Sequence, residues 1–185
     1  MDKPLVYIDL FAGCGGLSLG LHQAGLQGLF AVEKSPDAFL TLQHNLINKH
    51  KHFQWPSWLE QESWDVNEII NKHPDELRAL QGKVDLIVGG PPCQGFSVAG
   101  RRQETDKRNQ LIHSYLEVVE LVQPKMIVFE NVHGFTMKFS GEGNKSKIPY
   151  SEIVIKKLHE MGYADAEGKM INMAAFGVPQ QRKRF

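Results

Sequence analysis

The sequence is poor in cysteine, in net charge and in long apolar runs, and each shortage excludes something. Cys14 and Cys93 are the only two cysteines in 185 residues. They lie too far apart to form a metal-ligand pair, and two thiols make no disulfide framework. Free thiols in a reducing compartment follow, with a cytoplasmic location expected, nucleoid-associated if the source is prokaryotic. Lys plus Arg equals Asp plus Glu, at 21 each. A generally basic nucleic-acid binder is thereby excluded, and any site for a polyanion has to be local. No apolar run approaches the ~20 residues of a membrane span, and the opening MDKPLVYIDL has no signal-peptide core. The dinucleotide fingerprint G-x-G-x-x-G is also missing. Gly13-Cys14-Gly15 begins it, but Ser18 stands at its last position.

What is present alternates between two periodicities. LVYIDL (Leu5–Leu10), LFAVE (Leu29–Glu33), VDLIVG (Val84–Gly89) and KMIVFEN (Lys125–Asn131) read as short buried strands. Between them, Leu17, Leu21 and Ala24 have helical spacing. Ser35 is a candidate helix cap with Pro36 at the first helical position, and NEIINKH reads as a short helix. Leu111, Tyr115, Val118, Val119 and Val122 give Asn109–Val122 one apolar face. Ser151 is the candidate cap and Gly162 the stop of a later helix. Ile47–Ser63, with its histidines and tryptophans, reads as an irregular insertion in which the tryptophans serve local packing. Strands alternating with helices predict an α/β fold, a mostly parallel sheet with helices on both faces.

The polar and reactive residues collect at the expected strand ends: Asp9, Glu33, Asp65, Cys93 and Glu130. Ligands of open parallel sheets bind outside those ends. The glycine turn at 13, 15 and 16 lets backbone amides come close to a ligand. Asp9 just before it disfavours a pyrophosphate and suits a cationic group. Glu33 is placed to accept from ribose hydroxyls, and Asp65 from an exocyclic adenine amine. A nucleoside with a cationic tail and no phosphates fits these residues, which points to S-adenosyl-L-methionine. A glycine turn that only packs a helix on a strand remains the plain alternative.

GGPPCQGFS (Gly89–Ser97) places a thiol at a strand tip on a backbone that prolines pre-set. Such a thiol needs an electrophilic carbon and a nearby acid. Glu130, at the end of the next strand, is the candidate acid.

These motifs resemble those of the DNA (cytosine-5-)-methyltransferases. DLFAGCGGLSLG is similar to that family's first cofactor motif, EKSPDAFLTLQHN and WDVNEI to the second and third, GGPPCQGFS to its nucleophile motif, ENV (Glu130–Val132) to its glutamate motif, and QQRKR to its Q-x-R-x-R motif, read as Gln180, Arg182 and Arg184. The resemblance spans the chain. It implies a Rossmann-like methyltransferase fold and methyl transfer from S-adenosyl-L-methionine to C5 of a flipped cytosine, leaving S-adenosyl-L-homocysteine. It implies that Cys93 attacks C6, that Glu130 holds N3 and the 4-amino group, and that Arg182 and Arg184 order the base site. It also implies that Phe11, Gly13, Gly15, Gly16, Glu33, Lys34, Asp65, Val66 and Pro92 line the cofactor. The family often has an aromatic or apolar residue where Lys34 stands.

The expected partner is double-stranded DNA, in a restriction-modification or related setting, with no membrane and no metal, and with a monomeric full-length protein. Residues 1–185 are expected to form one catalytic, cofactor-binding domain. The family's target-recognition domain and last motif would lie beyond Phe185, so the 185-residue chain is expected not to methylate DNA alone. Arg101, Arg102, Lys107 and Arg108 would close on the DNA backbone. Two other readings compete: a catalytically silent adenosylmethionine-binding subunit, and a thiol-based redox or acyl-transfer enzyme. The first gives no reason for the thiol, the glutamate and both arginines to occur together; the second lacks a convincing Cys-His pair.

Overall fold

A computed structural model describes residues 3–92, 110–138 and 148–185. The chain divides into two units, Met1–Pro91 with His113–Phe129, and Pro92–Ile112 with Glu130–Phe185.

The first unit is built on four parallel strands in the order β2-β1-β3-β4: β1 (Val6–Leu10), β2 (Gln27–Val32), β3 (Leu86–Gly89) and β4 (Met126–Phe129). The chain steps from β1 outward to β2, then returns to the other side of β1 for β3. That reversal is the switch point at which sheets of this kind open a ligand crevice. Phe53 adds a single parallel bridge to Gly28 outside β2.

Alternation along the strands sorts the helices. Tyr7, Ala31, Leu86 and Val88 share a buried cluster with Phe39 and Leu42 of α2 (Pro36–Leu42), with Leu46, and with half-buried Leu21 of α1 (Gly16–Gln23). Leu10, Gly89 and Phe129 are in register and face the opposite way. Onto that face comes Tyr115 of α5 (Gln110–Val122), edge-on to Phe129 at 5.1 Å. Helices thus cover both faces, as expected. Gly89 is required there: a Cβ would run into the Leu10 carbonyl and lie 3.1 Å from the Tyr115 ring. Two short helices, α3 (Val66–Lys72) and α4 (Pro74–Arg78), precede β3.

Several expectations need correction. In α1 the buried side chain is Ser18, while Leu17 and Leu19 are exposed. The apolar spacing marks the inward face only at half-buried Leu21, and a polar contact at Ser18 adds to it. The irregular stretch begins a little later than expected: Gln43–Lys49 continues α2 in wider helical turns, and from His50 to Ser63 there is only the single Phe53 bridge. Asp65 is not at a strand end; it caps α3, its side chain accepting from the Asn67 amide. The tryptophans do pack locally, Trp55 standing edge-on to Phe30, Phe39 and Phe53. Ser35 caps α2 with Pro36 behind it.

The second unit contains α6 (Tyr150–Glu160) and a two-stranded antiparallel pair, β5 (Ile171–Asn172) with β6 (Lys183–Arg184). Phe135 is fully buried here between the rings of Tyr150 and Phe185. The cap of α6 is Pro149, not Ser151, which is buried inside the first turn. Gly162, at φ 98°, follows the helix end as expected.

Candidate active site

In the first unit the chain leaves β1 into a loop of unusual backbone. Phe11 (φ 60°), Gly13 (φ 57°) and Gly15 (φ 87°) alternate into the left-handed region. Such conformations are cheap for glycine and cost a residue like Phe11 roughly 1–3 kcal/mol. The surroundings hold it: the Ala12 amide donates to the Val32 carbonyl (3.0 Å) and the Gly15 amide to the Ala12 carbonyl (2.9 Å). Gly15 lies close under Leu42 and Leu46, and Gly16 opens α1.

Glu33, one residue past β2, is tied into this loop. Its Oε2 accepts from the Gly13 amide (2.8 Å) and its Oε1 from the Ser35 amide (2.7 Å). Its carbonyl accepts from the Trp64 amide (2.9 Å), which brings the segment before α3 alongside. The next residues of the two segments also meet, Lys34 Nζ lying 2.8 Å from Asp65 Oδ2. Burial alone would raise the Asp65 pKa, but Lys34 and the Asn67 amide together hold it below the ordinary value. Val66, the first residue of α3, is buried beside it. Phe11, Gly13, Gly15, Gly16, Glu33, Lys34, Asp65 and Val66 therefore share one end of the sheet. Open space at Gly13 and Gly16 and the carboxylate oxygens there suit a polar, hydroxyl-rich ligand.

Asp9 is placed differently from the expectation. Its side chain is 1 % exposed and lies under α1, with Oδ2 accepting from the Ser18 hydroxyl at 2.5 Å. Sequence reading missed this pair. The available signal was Ser18 itself, a small polar residue where the fingerprint would have glycine.

In the second unit Arg184 Nε stands 2.7 Å from Glu130 Oε1. Backbone pairing explains the approach. Asn131 and Phe185 exchange amide-to-carbonyl bonds of 2.9 Å in both directions, and Val132 bridges Arg184 antiparallel. The residues after Glu130 thus form a ladder with the end of β6, which puts the guanidinium next to the carboxylate. Arg182 is exposed and its carbonyl accepts from the Met173 amide (2.9 Å). Pro92 is exposed; Cys93 and the basic residues Arg101, Arg102, Lys107 and Arg108 lie outside the described residues.

Comparison with known proteins supplies the family. The C-5 cytosine-specific DNA methylase description matches residues 5–185. The chain belongs to that family. Type II methyltransferase M.XorII of Xanthomonas oryzae pv. oryzae is 38% identical over 190 residues, covering 100% of this chain and 40% of the relative. Type II methyltransferase M.AquIA of Picosynechococcus is 34% identical, over 100% of this chain and 70% of that relative. A crystal structure of an E. coli protein, assigned as a DNA modification methyltransferase encoded within a prophage, superposes with a TM-score of 0.66 at 29% identity, over 97% of this chain and 44% of the other. The S. pombe Dnmt2 methyltransferase structure shares the fold, with a TM-score of 0.62 at 20% identity over 98% of this chain and 48% of the other. The chain spans well under half the length of M.XorII, and likewise of M.DdeI from Desulfomicrobium norvegicum, where the share is 38%.

Proposed function

We propose that this chain carries the cofactor-binding and base-activating part of a DNA cytosine-5 methyltransferase of the restriction-modification kind. The observation that carries the reading is the Glu130–Arg184 pair at 2.7 Å, in a chain whose family acts on C5 of cytosine. A glutamate held by an arginine through one oxygen keeps its other oxygen for a base edge. The remaining donors and acceptors of the cytosine edge, N3 and the 4-amino group, are what a carboxyl can engage.

S-adenosyl-L-methionine, when bound, supplies an electrophilic methyl group on a sulfonium. Glu33 would accept from its ribose hydroxyls, Asp65 and Val66 would receive the adenine, and Phe11, Gly13, Gly15, Gly16 and Lys34 would complete the wall. The Cys93 thiolate adds to C6 of a cytosine extruded from the duplex, at a cost of a few kcal/mol. Electron density moves to C5, with Glu130 bound at N3 and the 4-amino group to disperse charge. After the methyl group reaches C5, loss of the C5 proton returns electrons to the ring and expels the Cys93 thiolate. Arg184 orients Glu130 throughout, and Arg182 contacts the flipped nucleotide. Double-stranded DNA is the substrate. Zero net charge gives the 185 residues few phosphate contacts of their own, so this chain is proposed to bind cofactor without turning over DNA.

Calorimetric titration of the chain with S-adenosyl-L-homocysteine tests the cofactor half directly. A single saturable site that weakens in Glu33→Ala supports it; no heat of binding up to millimolar ligand overturns it. A silent binding subunit is the second reading. It is separated by adding the remainder of M.XorII as a fusion, which restores methyl transfer only if Glu130 and Cys93 are catalytic.

A further inference from the structure

We infer that Asp9 and Ser18 form a positioning pair: their hydrogen bond pins α1 to β1 and thereby holds the loop Phe11–Gly16 in its ligand-receiving shape. This deepens the proposed cofactor site and rests on that reading for its ligand.

Apolar packing holds α1 only in part: Leu21 is half-buried against the core cluster, and the His22 ring lies against His50 and His52. It is eight residues long, its cap position is Gly15 with no side-chain cap, and its first turn has no acid. Leu17 and Leu19 face solvent, and Ser18 is its buried residue. Ser18 makes both polar attachments to β1. Its hydroxyl donates to Asp9 Oδ2 (2.5 Å), and its carbonyl accepts from the Tyr7 hydroxyl (3.3 Å). The Tyr7 oxygen in turn meets His52 Nε2 at 2.6 Å. Sliding α1 by one residue would break both Ser18 contacts and drag Gly16, and the left-handed glycines before it, out of place. Hydrophobic contacts tolerate such slips; a short buried hydrogen bond does not.

The pair also has a proton to exchange. Burial pushes the Asp9 carboxyl up to about 7, the Ser18 bonds oppose the rise, and the charge of Glu33 adds to it. The groups facing Asp9 are Ser18 from α1, Tyr7 on its own strand and Glu33 from the end of β2; beyond Tyr7 stand His52, His22 of α1 and His50. None of the first three is a cation to hold the carboxyl ionised.

The experiment combines two measurements on the 185-residue chain. Backbone hydrogen exchange without ligand reports the loop; calorimetry reports both ligands. In Ser18→Ala the amides of residues 13–19 should lose about tenfold in protection while those of β1 and β3 keep theirs, and affinity for both ligands should drop about tenfold. Asp9→Asn, whose side-chain oxygen can still accept from Ser18, should retain loop protection. Unchanged protection in Ser18→Ala, or protection lost equally in Asp9→Asn, overturns the inference. Should the unaltered chain bind neither ligand, the cofactor reading falls, and hydrogen exchange alone decides whether the pair holds the loop.

Discussion

The two units are held together in different ways. In the first, parallel strands bury Ile8, Phe30, Ile87 and Val88 almost completely, and helices close both faces. In the second, strands are two residues long, the interior centres on Phe135, Val154 and Leu158, and Met170, Ile171, Phe176 and Val178 stay exposed. The first unit is a scaffold whose loops carry a site. In the second, the backbone exchange between Asn131 and Phe185 brings Glu130 and Arg184 together. The lesson is that Glu33 inherits its position from a packed core, whereas Glu130 depends on a few backbone bonds and one arginine.

The strongest way to break that comparison is at Glu130. With the chain completed by the remainder of a relative, Glu130→Ala should lower the rate of methyl transfer about 10³-fold, equivalent to about 4 kcal/mol of transition-state stabilisation. Arg184→Ala should approach the same loss, because the carboxylate then has no fixed orientation. Both should leave the affinity for S-adenosyl-L-homocysteine unchanged. A rate loss below tenfold for Arg184→Ala, measured by tritiated methyl incorporation, would show that Glu130 is positioned without it.

Two glycines sharpen the contrast through stability. A methyl at Gly89 meets the Leu10 backbone and the Tyr115 ring, while at Gly168 it meets the ring of Phe185 and the tip of Ile155. Backbone cannot yield; the rim of a ring and the tip of an isoleucine can shift. Gly89→Ala should cost about 3 kcal/mol and Gly168→Ala less than about 1 kcal/mol in urea unfolding. Equal costs would mean that the second unit is packed as rigidly as the first.

A smaller effect is expected on binding at Glu33. Loss of its two amide contacts and of the ribose bonds in Glu33→Ala should weaken the ligand by about 1.5–3 kcal/mol, or roughly ten- to a hundred-fold. An unaltered dissociation constant would place the ribose elsewhere.

The smallest effect is a pH slope within the first unit. Burial, with His22 and His50 nearby, lowers His52 from 6.5 to about 4. The unfolded chain takes up that proton first, so this contribution to stability is full above about 6.5 and is lost as pH falls toward 4. Asp9 works the opposite way: its pKa rises from 3.8 to about 7. Its contribution is full below the ordinary carboxylate range and is lost as pH rises through 7. Between these limits the two slopes oppose. His52→Gln should therefore reveal a stability that falls with rising pH, and Asp9→Asn one that rises, each by at most about 1.4 kcal/mol per pH unit. Thermal melts across that range with parallel slopes in both variants would remove the pair of buried groups from the account.

Much of this was legible in the residues, and unevenly so. β1, β2 and β3 announce themselves because they are largely buried on both faces and read as apolar runs, β4 by its apolar run although Met126 and Val128 are exposed, and α5 because Tyr115, Val118, Val119 and Val122 share a face. Glu33 was legible from its place at the end of β2. Ser18 was not, since a buried polar residue leaves the apolar pattern pointing the wrong way along α1. The capping role of Asp65 was hidden because the strand expected before it is reduced to the Phe53 bridge. The Glu130–Arg184 contact joins residues 54 positions apart through a ladder only two or three residues long, too short to leave a periodic trace.

The central claim, a thiol that bonds to cytosine, has one direct measurement. The completed chain is incubated with S-adenosyl-L-methionine and duplex DNA containing 5-fluorocytosine, from which the C5 substituent cannot leave as a proton. Proteolysis and mass spectrometry then locate the adduct. The account predicts a methylated fluorocytosine strand attached to Cys93, absent in Cys93→Ser and indifferent to Cys14→Ser. Attachment through Cys14, or no adduct under conditions where the cofactor binds, would contradict it.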